Sequence, residues 1–207
     1  MSDDPVFETE VICWSKTITA DDIEYAYARG VFPWPISSDD SEPIPWVFPS
    51  VRAVLFFKDL HISRSTKRSL KKYNFEFKVN TAFDKVIRNC AVAYRENQDD
   101  TWICSRMVEA YTEAHQRGKV LSFETWLDGE LVGGMYGVLS KNGFSGESMF
   151  HTVTSASKFA LINAIKYLNE KYNFEWIDIQ QLTPLLKSFG ATEISAQKFL
   201  TMILLDD

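Results

Sequence analysis

The sequence predicts an α+β protein: a small N-terminal α/β domain over residues 1–80, then a domain over 81–207 with helices packed on a mainly antiparallel sheet. Three observations carry this. The second half reads as two helices, a three-stranded run, then helix, strand, helix and strand. Asp128-Gly129, between two strand-like segments, is a strong tight-hairpin signal. The 207 residues, 45% hydrophobic and 24% charged, suffice for one sizeable core or two small ones.

TADDIEYAYARG offers Thr19 as N-cap, acids in the first turn and Gly30 as a stop, the marks of a helix. Residues 31–49 hold five of the seven prolines, which argues against an ordinary helix or a central strand. Their Phe32, Trp34, Trp46 and Phe48 either fold back onto the core or form a surface for a flat ligand. VRAVLFF (51–57) and FEFKV (75–79) read as strands flanking a basic helix. AFDKVIRNCAVAYR and SRMVEAYTEAHQRG are amphipathic helices, the second closed by Gly118. VLSFETWL and ELVGGMYGVL form the hairpin, where Gly133 and Gly134 mark a bulge or close packing, and FSGESMF continues the run. SASKFALINAIKYLNEKY gives a long helix, FEWIDI a buried strand, TPLLKSFG a short helix and KFLTMIL a closing strand. This element order resembles that of an acetyltransferase-like (GNAT-type) domain. The RxxGxG/A segment that cradles a pyrophosphate is missing, so coenzyme A is not the expected donor.

Charge narrows the partners. HISRSTKRSLKKY (61–73) places Arg64, Lys67, Arg68, Lys71 and Lys72 at offsets 0, 3, 4, 7 and 8 and contains no acid, in a chain of net charge -6. That spacing makes a positive stripe on one helix face, either solvated or tracking phosphates. No apolar run approaches the roughly 20 residues that cross a bilayer, and the opening MSDDPVFETE is acidic, so a cytoplasmic protein without membrane contact is expected. Cys13, Cys90 and Cys104 lack CxxC spacing and read as buried free thiols, and His61, His115 and His151 are too scattered for a metal site.

Candidate chemistry lies at two strand ends. Asp178 and Gln180 in WIDIQQ share one face, with Ile177 and Ile179 on the other. A carboxylate accepts hydrogen bonds while an amide donates and accepts, so the pair, with Glu147 of GESMF, either orients a nucleophile and steadies an oxyanion or satisfies a buried polar network. Trp102 in DDTWI is either an edge-of-core residue or a binding platform.

YARGVFPW, PIPW, RAVL, LHISRSTKR, TWI, EAYTEAHQRG, ELVGGMYGV, GESMF, ASKFAL, WIDIQ and SFGA, in that order from about residue 25 to 191, resemble the bacterial leucyl/phenylalanyl-tRNA-protein transferases. The resemblance implies an enzyme that moves Leu, Phe or sometimes Met from aminoacyl-tRNA onto an N-terminal Arg or Lys of a protein, marking it for degradation by the N-end rule. It implies that Trp34 stacks on the terminal adenosine of tRNA with Tyr27 and Trp102 nearby, and that Phe144, Met149, Leu161 and Ile177 line the amino-acid pocket. It also implies that Asp178 and Gln180 help the amine attack the ester and that Glu147, grouped with them as catalytic, contacts the acceptor end or the incoming amine, with no metal or cofactor, and that the basic stripe grips the acceptor stem. ICWSKTITADDI replaces a GLLA..GGDL-like stretch, Val47 a tryptophan, and Leu121 a histidine. Two other readings use the same features: a non-catalytic tRNA-binding protein on this scaffold, and an N-acyltransferase with another donor.

Overall fold

The computed structural model describes residues 9–93 and 103–204. Near the N-terminus, β1 (Thr9–Ser15) leads to α1 (Ala20–Tyr27), which Thr19 and Asp22 close with a reciprocal capping box. Gly30 follows with φ 75°, the left-handed turn that lets the chain reverse into β2 (Phe32–Pro33). β3 (Ile44–Pro49) then completes a three-stranded sheet in the order β1-β3-β2. The proline-rich stretch thus does supply a central strand, contrary to the sequence expectation. β2 pairs only with Val47 and Trp46, so neither Pro45 nor Pro49 faces a strand partner there.

The remaining strands form one seven-stranded sheet. β4 (Val51–Phe56) is followed by α2 (Arg64–Leu70), β5 (Glu76–Val79), α3 (Phe83–Val92) and α4 (Ser105–Gln116). Then come β6 (Val120–Leu127), β7 (Glu130–Ser140), β8 (Gly143–His151), α5 (Ala156–Tyr172) and β9 (Trp176–Gln180). The chain closes with α6 (Pro184–Ser188), β10 (Thr192–Ser195) and α7 (Ala196–Leu204). The sheet order is β10-β4-β9-β8-β7-β6-β5, antiparallel throughout except for β8 against β9. Asp128 and Gly129 both take positive φ, 51° and 83°, as a tight hairpin requires.

The α+β class and the mainly antiparallel sheet follow the expectation, but a division at residue 80 does not follow the sheets. β4 and β5 precede that point, yet both belong to the large sheet, and Val54 and Leu55 of β4 are fully buried in it. Only the residues before about 50 form a separate sheet. KFLTMIL is likewise a helix and not a strand: its apolar Phe199, Met202 and Ile203 fall at i, i+3 and i+4 and pack together with Trp176. Cys90 and Cys104 are buried as expected, whereas Cys13 is exposed on β1.

Helices cover both faces of the large sheet. Ile23, Phe83, Val86, Met107 and Tyr111 from α1, α3 and α4 pack with Tyr136, Val138 and Phe150 on one side. Leu161, Ile165 and Leu168 from α5 pack with Phe123, Met135, Phe144 and Ile177 on the other. Alternate side chains of β7, Met135 and Tyr136, enter opposite cores, as strand geometry dictates. Gly133 lets α5 approach: a Cβ there would lie 2.6 Å from Ala156 Cβ.

Candidate active site

The site forms where the one parallel pairing gives out. β8 and β9 pair only at Phe144 with Ile177 and at Ser145 with Asp178, and beyond these residues the strands part. Two irregularities lie at the split. Glu147 is skipped in the register of β7 with β8, where Tyr136 faces Ser148 and Gly137 faces Gly146. Ile179 is skipped where Ala53 faces Gln180 and Val54 faces Asp178. Bulges of this kind re-aim side chains, and Gln180 itself takes the left-handed φ of 53°.

Behind the split stands a buried ion pair. Arg52 donates from Nε to Asp178 Oδ1 (2.7 Å) and from Nη2 to Oδ2 (2.6 Å). Ser145 Oγ adds a bond to Oδ2 (2.9 Å) and the Gln180 backbone N–H one to Oδ1 (3.0 Å). Four donors occupy the roughly four lone-pair sites of the carboxylate, leaving nothing for a substrate. Arg52 also donates to the Gly30 carbonyl (2.9 Å) and lies between the rings of Phe32 and Phe199, each 4.4 Å away. The pair therefore locks the backbone that holds Gln180 in its unusual conformation.

In front stands a second network. Gln180 Nε2 donates to Glu147 Oε1 (2.9 Å), and Tyr111 donates to Glu147 Oε2 (3.1 Å). The Tyr27 and Tyr111 hydroxyls share a hydrogen bond of 2.8 Å, and Tyr27 also hydrogen-bonds the Glu147 carboxyl. Burial lifts the Glu147 carboxyl from its ordinary 4.5 to about 7; the tyrosine hydrogen bonds oppose this and the charge of Asp178 adds to it. Burial, then the charge of Glu147, pushes both tyrosines well above 10, so they remain donors.

Glu147 and Gln180 border a cavity of about 580 Å³, within the range of small-molecule sites. Its apolar wall is Met135, Met149, Leu161, Ile179, Leu185 and Leu186; Trp34, Ser148, His151, Ser157, Gln181 and Thr183 supply a more polar side. The arrangement combines a carboxyl poised to exchange a proton near neutrality, an amide with a further donor and an acceptor, and an apolar bay beside them. Among the described residues no group of three or more His, Cys, Asp or Glu is disposed to hold a metal.

The comparisons with known proteins agree over nearly the whole chain. The family profile described as leucyl/phenylalanyl-tRNA protein transferase matches residues 54–204, and that of its N-terminal domain matches residues 16–50. The chain is 45% identical over 174 residues to the leucyl/phenylalanyl-tRNA--protein transferase of Nitrosospira multiformis, covering 84% of this chain and 73% of that one. It is 40% identical over 202 residues to the same-named protein of Flavobacterium johnsoniae, covering 96% and 93%. The chain belongs to the leucyl/phenylalanyl-tRNA protein transferase family. It is therefore an aminoacyl-transferring enzyme, and its two family segments divide near residue 50, where the two sheets divide. Among solved structures, a GCN5-related N-acetyltransferase-like protein from Streptococcus suis is 16% identical with a TM-score of 0.35, covering 84% of this chain and 65% of that one; the likeness adds nothing to the assignment.

The transferase brings some of the expected site residues together and sets others apart. Glu147, Gln180, Trp34, Met149 and Leu161 all border the cavity. Asp178 does not: it is wholly buried behind the split, paired with Arg52. Phe144 and Ile177 are also wholly buried in the α5-side core and are absent from the cavity wall. Tyr27 is 3% exposed, with its hydroxyl on Tyr111, so it presents no face for stacking. Trp102 lies outside the described residues. Arg64, Lys67, Arg68, Lys71 and Lys72 are all exposed on or just after α2. Sequence reasoning missed Arg52 and Tyr111 as site residues, together with Met135 and the 185–186 leucines. A buried cation for a strand-end carboxylate was the one available signal for Arg52.

Proposed function

We propose that this transferase moves Leu, Phe or Met from aminoacyl-tRNA to the N-terminal amine of proteins beginning with Arg or Lys, the mark read by the N-end rule. The observation that supports the reading most is Glu147, a carboxyl with a pKa of about 7 held by Tyr111 and Gln180 at the edge of an apolar cavity. The aminoacyl side chain enters the bay of Met135, Met149, Leu161 and Ile179, and Trp34 stacks on the terminal adenosine. The acceptor amine nitrogen attacks the ester carbonyl carbon, Glu147 takes a proton from it, and Gln180 hydrogen-bonds the reacting groups. The C–O bond then breaks, Glu147 passes the proton to the departing tRNA oxygen, which leaves as a hydroxyl, and an amide remains. An activated ester already carries its leaving group, so positioning and one proton transfer are the protein's main tasks. Asp178 and Arg52 act through Gln180 as positioning residues. The five α2 cations face the tRNA backbone, which is bound through phosphate and shape.

Glu147→Gln tests this. Transfer of phenylalanine from charged tRNA to an Arg-starting peptide should lose a factor of about 10²–10⁴ in kcat, with tRNA affinity unchanged. An unaltered kcat would remove Glu147 from the proton transfer.

A further inference from the structure

A second recess of about 340 Å³ adjoins the cleft. Val11 and Trp14 of β1, with Ile36, Trp34 and Gln181, surround it over the buried Val47. Trp34 and Gln181 border both cavities, so recess and cleft are neighbours, and Gln181 follows Gln180 directly. Two of its apolar side chains are open to solvent: Trp14 is 53% exposed and Ile36 77%. Residues of all three strands of the small sheet line it, so the recess is an apolar groove across that sheet's face.

The lining identifies the occupant. Among its described residues none is charged, so a phosphate-bearing strand gains nothing there. The cations lie elsewhere: α2 joins the start of α5 through Ser69 and Ser155 (2.8 Å), two residues before Ser157 of the cleft wall. On the transfer reading RNA comes to the cleft from α2, and the recess is left for the other substrate. We infer that it receives the residues that follow the acceptor's N-terminal one, in extended form, with an apolar side chain at the second to fourth position seated between Trp14 and Ile36. Such residues advance about 3.3 Å each and must leave the cleft once the amine is placed at Glu147. The inference rests on the transfer reading above and adds an acceptor preference beyond the first residue.

Three acceptors separate the possibilities: arginine amide, an Arg peptide with Leu and Phe at positions two to four, and one with Gly and Ser there. The full-length enzyme should show a KM about tenfold lower for the apolar peptide than for the Gly/Ser peptide, the size expected for one buried apolar side chain. Trp14→Ser and Ile36→Ser should each erase that difference while leaving arginine amide and charged-tRNA affinity unchanged. Equal KM values for both peptides with the unaltered enzyme would overturn the inference, as would a loss in the variants shared by arginine amide. A dimer in sedimentation that Trp14→Ser dissociates, with peptide KM values unmoved, would assign the recess to a second copy of the chain. Absence of transfer to all three acceptors would instead reject the transfer reading itself.

Discussion

On the proposed mechanism, Glu147 couples stability and turnover to the same proton. Its carboxyl titrates near 7 in the fold against the ordinary 4.5, so between those values the folded chain holds a proton that the unfolded chain has lost. Stability is therefore unaffected below about 4.5, falls as pH rises toward 7, and stays lowered above it; the difference of 2.5 units sets an upper bound of about 3 kcal/mol, reduced by solvent entering the cleft. Urea unfolding at pH 5 and pH 8 should show a drop that Glu147→Gln lacks. In turnover the proposed mechanism reverses the sign, because it requires the carboxylate: kcat/KM should rise through about 7, and again with the acceptor amine near 8, and Glu147→Gln should keep only the second rise. Asp178→Ala should cost about 3–5 kcal/mol because it strands Arg52, and the joint Arg52→Met, Asp178→Leu replacement should recover most of that. Period-two spacing placed Asp178 and Gln180 on one face, but not the partition between them. Asp178 is consumed by a residue 126 positions away, and nothing in WIDIQQ records that. Tyr111 was hidden for the same reason, as one apolar-face position in an amphipathic helix.

At the scale of elements, α2 is the simplest case: its five cations are exposed and, among the described residues, join no ion pair. Reversing Lys67, Arg68 and Lys71 to Glu should weaken tRNA binding and flatten its dependence on salt, because each phosphate contact contributes about 0.7 to 0.9 to the logarithmic slope; filter binding at several salt concentrations measures both. An unchanged slope would return the helix to solvent. Local chemistry made α1, α4 and the Asp128-Gly129 hairpin legible, since caps and turns are written in adjacent residues. The bulges at Glu147 and Ile179 were not legible, because they are differences in register between strands. α7 was misread as a strand because a short apolar run fits either period. The aromatic loop met both of its alternatives: Phe32 and Trp46 enter the core while Trp34, 40% exposed, borders the cavity.

At the scale of the molecule, Arg52 joins the two sheets: it sits on β4, bonds Gly30 beside the small sheet, and clasps Asp178 of β9. The division at 80 does not coincide with the sheets because it rests on sequence continuity, whereas β4 and β5 pair into the large sheet. No helix among the described residues is long and apolar enough to cross a membrane. The net charge of -6 with one local cationic stripe suits an enzyme that meets RNA at one face. The most direct test is transfer of radiolabelled Leu, Phe and Met from charged tRNA to peptides beginning with Arg, Lys, Asp, Glu or Ala, with Glu147→Gln in parallel. Label should appear on the Arg and Lys peptides and be lost in the variant; tRNA bound with no label on any peptide would contradict catalysis and leave a tRNA-binding protein on this scaffold.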